Sequence, residues 1–154
     1  MTNKLVFYII IILFLPVNIY LSSDAGISAD EFAHHAHAES VYNYYKTLGE
    51  NRDCLNPKDT QLQYQGQLPD NIAFVLIKLF HIEDIYQARH VFNAIITWLA
   101  IFITSLFARR LMGYPAGLVT FILLVVSPRF LGHGFNNLKD IPYAFAFIFT
   151  LYYI

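Results

Sequence analysis

"VFNAIITWLAIFITSLFARRLMGYPAGLVTFILLVV", residues 91–126, decides how this chain is read. Its only charged side chains are Arg109 and Arg110, adjacent and near the middle. Helices over 91–108 and 111–126 are apolar on every side, which suits a lipid surrounding better than a water-facing one. The spacing therefore predicts two membrane spans joined by a tight turn at the two arginines. Short loops rich in arginine and lysine stay on the cytoplasmic side, so this turn is read as inside. Gly113-Tyr-Pro-Ala-Gly117 opens the second of these spans with a small-xxx-small spacing that lets helices approach closely.

Two further apolar runs lie outward from this hairpin. Residues 5–21 are broken only by Pro16 and Asn18 and would reach about 25 Å as a helix, enough for a thin bilayer. A signal peptide is the alternative there, with Lys4 before the apolar run and Ser23-Asp-Ala25 after it. Residues 141–154 begin a fourth span of about 21 Å, short of the roughly 30 Å hydrocarbon core. The sequence stops on "FTLYYI" without a polar flank, and the expectation is the first part of a longer membrane protein. The predicted fold class is thus all-α: a polytopic membrane protein with about four transmembrane helices. Counting from the arginine turn puts the amino terminus inside and residues 22–90 and 127–140 outside.

Composition agrees. Of 154 residues, 56% are hydrophobic and 14% charged, with a mean hydropathy of +0.45. Soluble domains carry roughly 25% charged residues. The formal net charge is −1, so no basic surface invites nucleic acid. Cys54 is the single cysteine, which excludes an intrachain disulfide.

The long outer loop carries the titratable chemistry. "GISADEFAHHAHAE", residues 26–39, follows directly on the first apolar run. Ser28 and Glu31 have capping-box spacing, predicting a helix over 29–48 that ends at Gly49. Ala38, Val41, Tyr45 and Leu48 would form its apolar face. A second helix, capped by Asp70, is predicted through "NIAFVLIKLF". Its apolar core is too short to span, so both loop helices are expected at the membrane interface. Asp30 and Glu31 in a first turn offset the helix dipole whatever else they do. His34 and His35 lie four residues beyond Asp30 and Glu31, and His37 three beyond His34. Those spacings allow two metal ligands from one helix, which leaves a divalent metal open, although no C-x-x-C or H-E-x-x-H is present.

The next outer loop, "SPRFLGHGFNNLKDIP", gathers Arg129, His133, Lys139 and Asp140. Gly132 and Gly134 suggest unusual turns around His133. Asp140 is placed as N-cap of the fourth span, with Pro142 in its first turn. Arg129 and Lys139 are candidate phosphate contacts. His133 and His34 are candidate substrate contacts in their respective loops.

This arrangement resembles the GT-C superfamily of membrane glycosyltransferases, within it the branch of protein O-mannosyltransferases and lipid A aminoarabinose transferases. The residues that carry the likeness are "SADEFAHHAHAESVYNYYKTLG" and "SPRFLGHGFNNLKDIPYAFAF". The resemblance implies transfer of a sugar from a polyprenyl-phosphate carrier to a protein or lipid-glycan acceptor at the outer face of the membrane, the plasma (inner) membrane in a bacterium. It implies Asp30 as catalytic base, Glu31 completing the acidic pair, and Asp140 near the same pocket. It also implies that residues 1–154 alone are inactive, because family members carry later donor-binding loops. The histidine cluster has no counterpart in that pattern. Two other classes stay open: a non-enzymatic polytopic protein such as a transporter fragment, and a metal-binding membrane module using His34, His35 and His37.

Overall fold

The computed structural model describes residues 3–57 and 61–154. Among the described residues six α-helices follow one another: α1 (Asn3–Ser22), α2 (Glu31–Lys46), α3 (Leu68–Phe80), α4 (Ile85–Val125), α5 (Pro128–Asn136) and α6 (Asp140–Tyr153). Two single 3-10 turns, Asp53–Leu55 and Leu62–Tyr64, lie between α2 and α3. The described residues contain no strand. Of these helices, α1 and α4 are long and apolar enough to cross a bilayer. The chain divides into two compact units, one of residues 1–25 and 90–154, the other of residues 26–89.

In the first unit, α4 is not one straight rod. Gly113 has φ 85° and ψ −179°, a conformation essentially restricted to glycine. Beyond it the chain doubles back. A Cβ at Gly117 would lie 2.8 Å from the backbone oxygen of Ser105, twelve residues earlier. A straight helix would separate those positions by about 18 Å. Residues 85–112 and 114–125 are therefore the two arms of a hairpin, and Gly117 is the small residue that lets them touch. The reversal falls at Gly113 rather than at Arg109-Arg110. The arginines instead close the last turn of the first arm, where positive charge meets the helix's carbonyl end.

Helix α1 packs against this hairpin. Phe7 and Ile11 are buried with Ile101, Ile103 and Leu106 of the first arm and Phe121 of the second. Directional bonds set the register: Asn18 donates to the Ala94 carbonyl at 2.8 Å, and the Trp98 indole donates to the Ile11 carbonyl at 2.8 Å. Such bonds matter most in lipid, where apolar burial alone gives helices little reason to associate.

The stretch expected as an irregular outer loop contains α5. Ser127 supplies its N-cap oxygen to the Phe130 amide, and Pro128 occupies the first turn, where its missing N–H costs nothing. Gly132 and Gly134 are helical, so they do not make the turns predicted around His133. Gly134 serves close approach: a Cβ there would meet Thr97 at 2.7 Å. Thr97 and Asn93, one helical turn apart, hold α5 by donating to the carbonyls of Gly134 and His133 at 2.8 and 3.0 Å.

In the second unit, α2 begins at Glu31 rather than at residue 29 and ends at Lys46. Its inward face is not the apolar row predicted. Glu31, His34, His37 and Ala38 are buried, while Tyr45 and Leu48 are 72% and 96% exposed. Helix α3 packs on that polar face through Asp70, Ala73, Phe74 and Ile77. Its N-cap position is Gln67, not Asp70, which is turned inward instead.

Candidate functional site

The second unit is organised around a chain of polar side chains. Arg89 donates to the Asp70 carboxylate at 2.7 Å, and each of these side chains is 2% exposed. The other Asp70 oxygen lies 3.7 Å from Nδ1 of His34. That nitrogen is also 3.2 Å from the Gln67 amide nitrogen. The Gln67 oxygen bonds Nδ1 of His37, whose Nε2 faces the Cys54 carbonyl at 3.1 Å. An amide's oxygen and nitrogen exchange places without moving any other atom. With the Gln67 nitrogen toward His37, the chain runs from His37 Nε2 to the Cys54 carbonyl, from the Gln67 nitrogen to His37 Nδ1 and from His34 Nδ1 to the Gln67 oxygen, while the Asp70 oxygen at 3.7 Å lies beyond hydrogen-bond reach.

Outward from this chain stands Asp30. Its side chain is 69% exposed, and one oxygen lies 4.0 Å from Nε2 of His34. The other accepts from the Ser28 hydroxyl at 2.8 Å. Glu31 is buried, and its carboxylate accepts from the Ser28 amide at 3.1 Å. That is the reach-back half of the predicted capping box. The other half is not formed: the Glu31 amide donates to the Ser28 carbonyl at 3.2 Å rather than to the Ser28 hydroxyl. The acidic pair thus divides: Glu31 fastens the start of α2, and Asp30 presents a fixed carboxylate to the outside.

His35 leaves this chain and lies against the Phe74 ring, centroids 5.3 Å apart. Burial, then the nearby Arg89 charge, hold its pKa below the ordinary 6.5, against a smaller opposite pull from Glu39 and Asp70. Its Nδ1 is buried without a hydrogen-bond partner. His34 and His37 share Gln67 while His35 turns away to Phe74, and no group of three metal-binding side chains that could hold an ion occurs among the described residues. Cys54 is buried, which pushes its thiol pKa up and makes it slow to react. Beside His37, a pocket of about 510 Å³ opens along α2, lined by Phe32, Ala36, Ser40, Asp53 and Asn56.

The candidates of the other loop belong to the first unit. Asp140 starts α6 but is not its cap; Lys139 occupies that position. Asn137 fastens the turn, its side-chain oxygen accepting from the amides of Lys139 and Asp140 at 3.1 and 2.8 Å. Its amide nitrogen donates to the Asp140 carboxylate at 2.9 Å and lies 3.2 Å from His133 Nδ1. His133, Asn137 and Asp140 form one small cluster, while Arg129 and Lys139 are exposed nearby in sequence.

Gln67, Asp70 and Arg89 were not singled out as a site from the sequence. The available signal was an arginine and an aspartate bordering apolar runs, where an unpaired charge is costly. No protein-family model, curated protein or solved structure matches this chain.

Proposed function

We propose that this chain belongs to a multi-pass membrane glycosyltransferase with four spans, its amino terminus inside and α2, α3 and α5 on the outer side. Helices α2 and α3 lie at the interface. The donor is a polyprenyl-phosphate sugar and the acceptor a hydroxyl of a protein or lipid-glycan. Asp30 takes the proton of that hydroxyl as its oxygen bonds the anomeric carbon. The bond from that carbon to the phosphate oxygen breaks, and the lipid phosphate leaves with the electron pair. Arg129, Lys139, Asp140 and His133 are candidate donor contacts within the first unit.

The observation that carries this reading is the state of Asp30. It is an exposed carboxylate fixed by Ser28 at the start of a helix, backed by His34. A general base needs that combination of access and fixed geometry.

The test is sugar transfer by the full-length protein in its membrane, from a polyprenyl-phosphate donor, with Asp30→Asn; residues 1–154 alone are expected to be inactive. Asparagine keeps the shape, and its side-chain oxygen can still accept from the Ser28 hydroxyl. The expected loss is about 10²–10⁴-fold in rate with unchanged thermal stability. Near-normal transfer returns Asp30 to a role at the helix start alone.

A further inference from the structure

The geometry points to a binding site for the phosphate headgroup of an anionic membrane lipid at the reversal of α4, between Arg109, Arg110, Tyr114 and Tyr152. This rests on the membrane reading of the first unit and not on sugar transfer.

A pocket of about 310 Å³ opens there, lined by both arginines, Gly113 and the two tyrosines. Arg109 donates to the Tyr8 hydroxyl at 2.8 Å and stacks over the rings of Tyr8 and Tyr114. Arg110 donates to the Tyr152 carbonyl at 2.8 Å and lies over the Tyr152 ring. These partners orient both guanidinium groups without neutralising either. Among the described residues neither arginine is in an ion pair. The unit's acids, Asp24 and Asp140, stand at the other ends of its helices. Asp140 begins α6 and Tyr152 comes twelve residues later, roughly 18 Å along the axis. Two adjacent uncompensated positive charges at the rim of an apolar bundle attract an anion.

A second pocket identifies the anion's carrier. It measures about 240 Å³, is walled by Val6, Phe7, Pro115 and Leu118, and shares Tyr114 with the first. A basic pocket and an apolar one meeting at a single tyrosine suit a molecule with a phosphate at one end and hydrocarbon at the other. The tyrosine ring borders the hydrocarbon and its hydroxyl the headgroup. Free phosphate would leave the apolar pocket unused.

The test is lipid retention by the full chain purified in detergent, read by native mass spectrometry. Phosphatidylglycerol and phosphatidylcholine are offered in equal amount. The expected result is preferential retention of phosphatidylglycerol, reduced about fivefold by Arg110→Gln, the weight of one basic residue near an anionic lipid. Arg110→Lys keeps the charge and should retain most of the preference. Arg110 is exposed, so both variants should melt like the parent. Equal retention of the two lipids overturns the site, as does a preference that Arg110→Gln leaves intact. Inorganic phosphate at matched concentration should not displace the lipid; displacement would make the site one for free phosphate and overturn the lipid assignment.

Discussion

Arg89 and Asp70 form a buried ion pair nineteen residues apart, with a nitrogen-to-oxygen distance of 2.7 Å. The pair fastens the start of α4 to the first turn of α3. It also fixes the carboxylate beside His34, so a fold contact and the environment of the candidate site are the same contact.

Breaking that pair from one side leaves a charge in a place without water. Asp70→Leu is expected to cost about 3–5 kcal/mol, whereas Asp70→Leu with Arg89→Met together should cost much less than the two singles added. Chemical unfolding of the purified protein, followed by far-ultraviolet circular dichroism, measures both. Additive losses would mean that the two groups do not act as a pair.

His35 makes the second unit sensitive to acid. Its folded pKa lies below 6.5, so the unfolded chain binds the proton more readily. Stability attributable to His35 is then intact above its unfolded value and declines as pH falls through about 6.5 toward the folded pKa. Melting temperatures between about pH 8 and pH 5 should show that decline in the parent and a smaller one in His35→Gln. An equal decline in both would assign the sensitivity to other groups.

The two helical glycines Gly117 and Gly132 should respond oppositely to alanine. At Gly117 the new methyl would meet Ser105 oxygen and Phe7 at 2.8 Å each, forcing the hairpin arms apart. Gly117→Ala is expected to destabilise by about 1–3 kcal/mol. Nothing lies within 4 Å of the position at Gly132. Gly132→Ala should therefore stabilise by about 0.5–1 kcal/mol through backbone entropy. Paired melts of the two variants check this, and a stabilised Gly117→Ala would refute the close approach.

What the sequence made legible follows from how each signal arises. The apolar runs announced α1 and α4, because hydrophobic composition over about 20 residues is a property of the segment itself. The Ser28–Glu31 contact was readable for the same reason: it closes within four residues. The inward face of α2 was misread because periodicity ranks residues by apolarity, and here the buried partners are polar. His34 and His37 are buried because Gln67 and Asp70 meet them from another helix, and nothing within 31–46 reveals that. Asp70 was assigned a cap by its position and instead found Arg89. Asn93 and Thr97 are two polar positions inside an apolar run, and nothing in that run reveals that they hold α5.

The turn at Gly113 is a single residue, and that removes a degree of freedom from the first unit. A hairpin with a long connection can absorb an added residue in the loop. Here there is no loop to absorb it. One residue inserted between Leu118 and Phe121 would rotate the following positions by about 100° and carry Phe121 away from Phe14, whose ring it meets edge-on at 5.5 Å. The two arms of α4 should therefore change length only in steps that restore the helical phase.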